Sequence, residues 1–139
     1  MDTSPEYVRM CDCEEIQGAW KVAEGDWCCV RADPEFELDE VVVLGYANWD
    51  PCHTQQSEEE GIRHFKQRRV FLPRQDQLQE MKGKPEQVTW LEVGVWFGHW
   101  CCARYNDNGG MGGWSMEQLW LAYVMHKKHN KHWNGEKWA

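Results

Sequence analysis

No CxxC spacing occurs anywhere in the 139 residues, although cysteine is plentiful. That leaves neither a zinc ribbon nor a thioredoxin-type site written in the chain. Seven is an odd count, and four of the seven form the vicinal pairs Cys28–Cys29 and Cys101–Cys102, whose members are badly placed to bridge each other. The thiols read as small hydrophobes in a reducing compartment. No apolar run approaches the roughly 20 residues of a membrane span. The start, MDTSPEYVRM, lacks the basic and apolar stretches of a signal peptide, so the expectation is an intracellular protein. The glycine run NDNGGMGG has no Lys-Ser/Thr after it, which excludes a P-loop. No nucleophile, base and orienting group are legible together, so neither an enzyme nor a cofactor is expected.

Basic residues are scarce at the start. Residues 1–60 hold 16 Asp/Glu against 3 Lys/Arg, whereas residues 61–139 hold 7 against 12. Such asymmetry points to faces of opposite potential, or to interleaved segments whose charges only solvate the surface. The candidate acidic face comprises Glu35, Glu37, Asp39 and Glu40 in the loop ADPEFELDE, with Glu58, Glu59 and Glu60.

A chain of this length fits one domain, residues 1–139, with a proper core. Ser4 followed by Pro5 opens an N-terminal helix, with Met10, Cys13, Ile16 and Trp20 at helical spacing. DWCCVR (26–31), VVVLGYA (41–47) and KQRRVFLP (66–73) read as strands, with residues 48–61 as a loop between the last two. Pro73 fits the first turn of a short middle helix carrying Leu78 and Met81, ended by Lys82-Gly83-Lys84-Pro85. TWLEVGVWF (89–97) alternates strictly and predicts a further strand. Ser115 and Gln118 form a capping box for a longer C-terminal helix with a basic end, HKKHNKH. Asn134–Gly135 is a tight-turn dipeptide between Trp133 and Trp138. The expected fold is α+β: an antiparallel sheet of about four or five strands, with an N-terminal, a short middle and a longer C-terminal helix.

Several constellations could carry chemistry. Arg63, Lys66, Arg68, Arg69 and Arg74 put five cations in twelve residues, interleaved with Phe65 and Phe71. Arginine forks suit phosphate or carboxylate, and Gln75 adds an amide, so the group is a candidate phosphate or partner site. The duller alternative is that Arg74 and Asp76 only tie a strand–helix corner. Of the ten tryptophans, Trp49 and Trp114 lie in loops and are the candidate exposed anchors. His126, His129 and His132, or Cys52, His53, His99, Cys101 and Cys102, could supply metal ligands or a Cys/His dyad. None has a recognised partner spacing, so no metal is assigned.

LPRQDQLQEM (72–81), EYVRMCDCEEIQ (6–17) and SMEQLWLAYVMHKKHNKHWNGEKW (115–138) resemble a family of small proteins of Firmicutes phages and prophages. The resemblance implies a phage accessory gene acting in the host cytoplasm, and such genes are enriched in proteins that disarm host defences. The expected function is therefore non-enzymatic binding. One route is an anti-CRISPR-type inhibitor whose acidic face binds a nucleic-acid-handling defence protein. A second is sequestration of a defence signalling nucleotide at the Arg-rich site; a third is a small metal- or thiol-dependent protein. The acidic balance argues against direct nucleic-acid binding, no membrane partner is expected, and homo-oligomerisation stays open.

Overall fold

A computed structural model describes residues 1–31, 41–44, 58–108 and 113–139. They gather into two units, one of residues 3–73 and one of residues 1–2 with 74–139.

In the first unit, Ser4 Oγ accepts the Tyr7 N–H at 3.2 Å and Pro5 holds the first position of α1 (Pro5–Cys11). The single helix expected through Trp20 is broken. Asp12 leaves helical geometry at ψ 63°, Cys13 is extended at φ −137°, and α2 (Glu14–Ala19) starts afresh. Tyr7, Met10, Cys11 and Ile16 face the core, and the Tyr7 hydroxyl donates to the Pro73 carbonyl at 2.5 Å.

β1 (Trp27–Val30) lies between β2 (Val41–Val43) and β3 (Arg69–Leu72), antiparallel to both. Cys28 stands opposite Val42 and Phe71. The outer edge of β3 is closed by a side chain. The Gln17 amide donates to the Phe71 carbonyl at 3.2 Å and accepts the Phe71 N–H at 3.0 Å, as a neighbouring strand would. Buried Asp26 accepts the Trp20 indole N–H at 2.8 Å and the Ala23 N–H at 2.9 Å. At Gly25, φ +86° turns the chain into β1, and its N–H reaches the Leu44 carbonyl at 2.7 Å.

The α+β class holds, but the strand count does not. The described residues form a three-stranded antiparallel sheet, not four or five strands. Residues 58–61, read as loop, belong to α3 (Glu58–Gln67), and the strand expected from Lys66 begins at Arg69.

The second unit is helical. α4 (Gln75–Lys82) starts two residues beyond the expected Pro73, with the Gln77 side chain accepting the Arg74 N–H at 2.9 Å. Gly83 ends it at φ +69°, donating to the Gln79 and Glu80 carbonyls. The expected strand at 89–97 is instead the first half of α5 (Trp90–Asn108). Its start is a capping box: Glu92 accepts both the Thr89 N–H and hydroxyl at 2.8 Å, and the Glu92 N–H returns to Thr89 Oγ1 at 3.3 Å. These bonds hold the Glu92 carboxyl below its ordinary pKa, the Thr89 N–H contributing most. Val93 and Phe97 are buried, one turn apart.

α6 (Met116–Val124) starts as the sequence predicts, with Ser115 and Gln118 capping reciprocally at 3.1 and 3.0 Å. Ser115 Oγ also donates to Asp2 at 2.6 Å. Phe97 stacks on Trp120 at 4.0 Å and meets Tyr123 edge-on at 5.5 Å, so α5 and α6 pack through aromatic rings. Beyond α6 a π turn (Met125–His129) ends at Asn130, left-handed at φ 53°.

Candidate functional site

The cations of the expected phosphate site divide between the two units, Arg63, Lys66, Arg68 and Arg69 in the first and Arg74 in the second. Lys66, at the end of α3, donates to the Trp20 carbonyl and lies 5.6 Å from the Trp20 ring. Burial pushes its ammonium below the ordinary lysine pKa. The Arg69 guanidinium stacks on Phe65 at 4.0 Å. Burial pushes the nearby Cys28 thiol up to about 11, a rise the Arg69 charge partly offsets. Trp20 in turn stacks on Phe71, 5.1 Å away and nearly parallel at 3°. Two of the five cations thus serve the aromatic side of the sheet. Arg63 and Arg68 are exposed, and the Arg68 carbonyl accepts the Arg31 N–H at 2.9 Å. Arg63 and Lys66 share a shallow hollow of about 460 Å³ with Ile62 and Gln67.

Arg74 and Gln75 open the second unit. Arg74 pairs with Asp76 through two bonds of 3.1 Å, and this hydrogen-bonded guanidinium lowers the Asp76 carboxyl pKa. The Asp76 side chain is 63 % exposed, so the pair stabilises the corner by only about 0.2–1 kcal/mol.

The acidic candidates divide. Glu35, Glu37, Asp39 and Glu40 lie outside the described residues, as does Trp49. The side chains of Glu58 and Glu59 do so too, although both residues begin α3. Glu60 is exposed, and so are Asp12, Glu14 and Glu24, which the sequence reading did not single out. Asp12 holds the Arg31 guanidinium in a two-point bridge at 2.5 and 2.9 Å. A residue count over the two units sharpens the pattern. Residues 3–73 carry 15 acidic and 7 basic groups, a balance of −8, whereas residues 1–2 and 74–139 carry 8 of each. Six of the 15 acidic groups, Asp33, Glu35, Glu37, Asp39, Glu40 and Asp50, lie outside the described residues.

Trp114 is half-buried, and Trp90 (49 % exposed) and Trp96 (44 %) present their indoles instead, beside Leu91 at 78 %. Six described cysteines are free thiols: Cys11, Cys28 and Cys29 buried, Cys13 and Cys101 half-buried, Cys102 exposed. Burial raises the Cys101 pKa, and Cys102 beside it adds to the rise. Cys52 and His53 lie outside the described residues. Among the described residues, no three His, Cys, Asp or Glu side chains converge as metal ligands. His126 and His132 do meet, with ring centroids 4.9 Å apart, and Arg104 bonds the latter. Among the described residues, no helix is long and apolar enough to cross a membrane. No protein-family model, curated protein or solved structure matches the chain.

Proposed function

We propose that this chain is a phage-encoded, non-enzymatic binding protein that counters a host defence by docking its acidic sheet unit onto a nucleic-acid-handling protein. The observation that carries the reading is the charge partition: the net −8 falls on residues 3–73 and none on the remainder. Within that unit Arg31 and Lys66 are engaged by Asp12 and by the Trp20 carbonyl and Arg69 lies on Phe65, while Glu14 and Glu24 are exposed, as are Arg9, Lys21, Arg63 and Arg68. A surface of that sign competes with a phosphate backbone for a basic groove, and complementary potential steers the encounter. The phage setting rests on the resemblance of the 72–81 and C-terminal motifs. The same engaged cations weigh against nucleotide sequestration, since Lys66 and Arg69 would have to leave their internal partners.

The test is capture of host protein on the immobilised full chain, followed by elution with duplex DNA. A retained nucleic-acid-binding protein released by DNA or moderate salt is the expected result. A retained protein that DNA leaves in place contradicts the proposal, as does a nucleotide found stoichiometrically on the purified chain.

A further inference from the structure

The last ten residues form a small structure of their own. His132 and Ala139 exchange both backbone hydrogen bonds, at 2.8 and 3.0 Å, and Trp133 bridges to Trp138, whose ring lies 5.2 Å away. The turn is pinned by Asn134 Oδ1, which accepts the Glu136 and Lys137 N–H groups at 3.0 and 2.9 Å, and by Gly135 at φ +98°. This hairpin leaves the π turn at left-handed Asn130, whose N–H donates to the His126 carbonyl at 3.2 Å, as the Lys131 N–H does to the Met125 carbonyl.

His132 carries a contact from the hairpin back to the helices: Arg104 Nη2 of α5 bonds its Nε2. A guanidinium has only donors, so the bond exists only while Nε2 keeps its lone pair. The His132 ring also lies 4.9 Å from His126, which stacks at 5.9 Å against Trp100 of α5. His126 Nδ1 is buried without a partner among the described residues.

We propose that residues 130–139 are an acid-released latch, docked on α5 and the π turn by a bond that only an uncharged His132 can accept, and freed when His132 and His126 take up protons. The charged groups that act on His126 are cations. Arg104 faces them from α5 and Lys127 from the π turn. Tyr123, which Lys82 of α4 and Lys127 approach at 6.0 and 5.9 Å, lies 5.4 Å from Trp100 in the same ring cluster, and half-buried Cys101 acts on Tyr123. No carboxylate pairs with either imidazole among the described residues, so a second or third positive charge there meets only repulsion. Burial first, then His132, Arg104 and Lys127, pushes the His126 pKa below its ordinary 6.5. A histidine depressed in the folded state binds fewer protons than in the unfolded chain. His126 therefore contributes fold stability that is full above the ordinary histidine pKa and weakens as pH falls below it, and His132, docked beside it, adds to that depression.

The test is the backbone order of residues 132–139 in the full chain, by NMR relaxation at about pH 7.5 and about pH 5. Order parameters near those of α6, about 0.85, should fall below about 0.6 in acid while α6 stays rigid. The variant carrying His126→Gln and His132→Gln keeps a neutral acceptor for Arg104 and should remain docked at both pH values. An unchanged wild-type hairpin at the lower pH overturns the latch, and so does an acid release that persists in the double variant. If that variant fails to fold, the titration of the two imidazole rings in the wild type decides: release must follow their protonation, and release at a different pH overturns the proposal.

Discussion

At the scale of single residues, Gln17 has the clearest structural role. One side-chain amide replaces a missing strand on the outer edge of β3 and also bonds the Cys11 carbonyl at 2.8 Å. Gln17→Leu keeps the volume but leaves the Phe71 N–H and carbonyl without those partners. Urea unfolding should show a loss of about 1–3 kcal/mol, the cost of stranding a buried polar group. The thiols make a second test. Buried Cys11, Cys28 and Cys29 should react with a thiol reagent only on unfolding. Exposed Cys102 should label first, as peptide mapping by mass spectrometry would show.

At the scale of elements, α5 shows where sequence reading failed and why. TWLEVGVWF alternates in hydropathy, yet the same residues place Val93 and Phe97 on one helical face. The deciding signal was present: Thr89 and Glu92 have the spacing of a capping box, and their reciprocal bonds start the helix. Period alone could not separate the readings, because buried positions four apart satisfy both. α6 was legible for the converse reason, since Ser115, Gln118 and the apolar spacing agree. α3 was masked by its three consecutive glutamates, which read as loop but favour a helix N-terminus. The meeting of Arg104 with His132 links residues 28 positions apart, beyond any local pattern. Phe97→Ala should destabilise the protein by about 3–5 kcal/mol, because it empties the ring stack on Trp120. Leu91→Ala, six residues earlier and 78 % exposed, should stay within about 0.5 kcal/mol. Thermal melts of the pair test the helical assignment, since on the predicted strand Leu91 and Phe97 would share a face and a penalty.

For the whole molecule, the partition of charge matters more than its sum. Residues 3–73 bear the full −8, which the sequence halves foreshadowed but could not place, because the boundary at Pro73 is set by packing. At the arginine-rich junction Lys66 and Arg69 are engaged beside the sheet and Arg74 holds Asp76 at the start of α4, while Arg63 and Arg68 are exposed. The direct measurement is the association rate of the full chain with its captured host partner as ionic strength is raised. Exposed charges are screened over about 8–10 Å at physiological salt, so an acidic docking surface predicts a rate that falls by about 10-fold or more from low to high salt. A rate that stays flat across that range would contradict docking through the acidic unit.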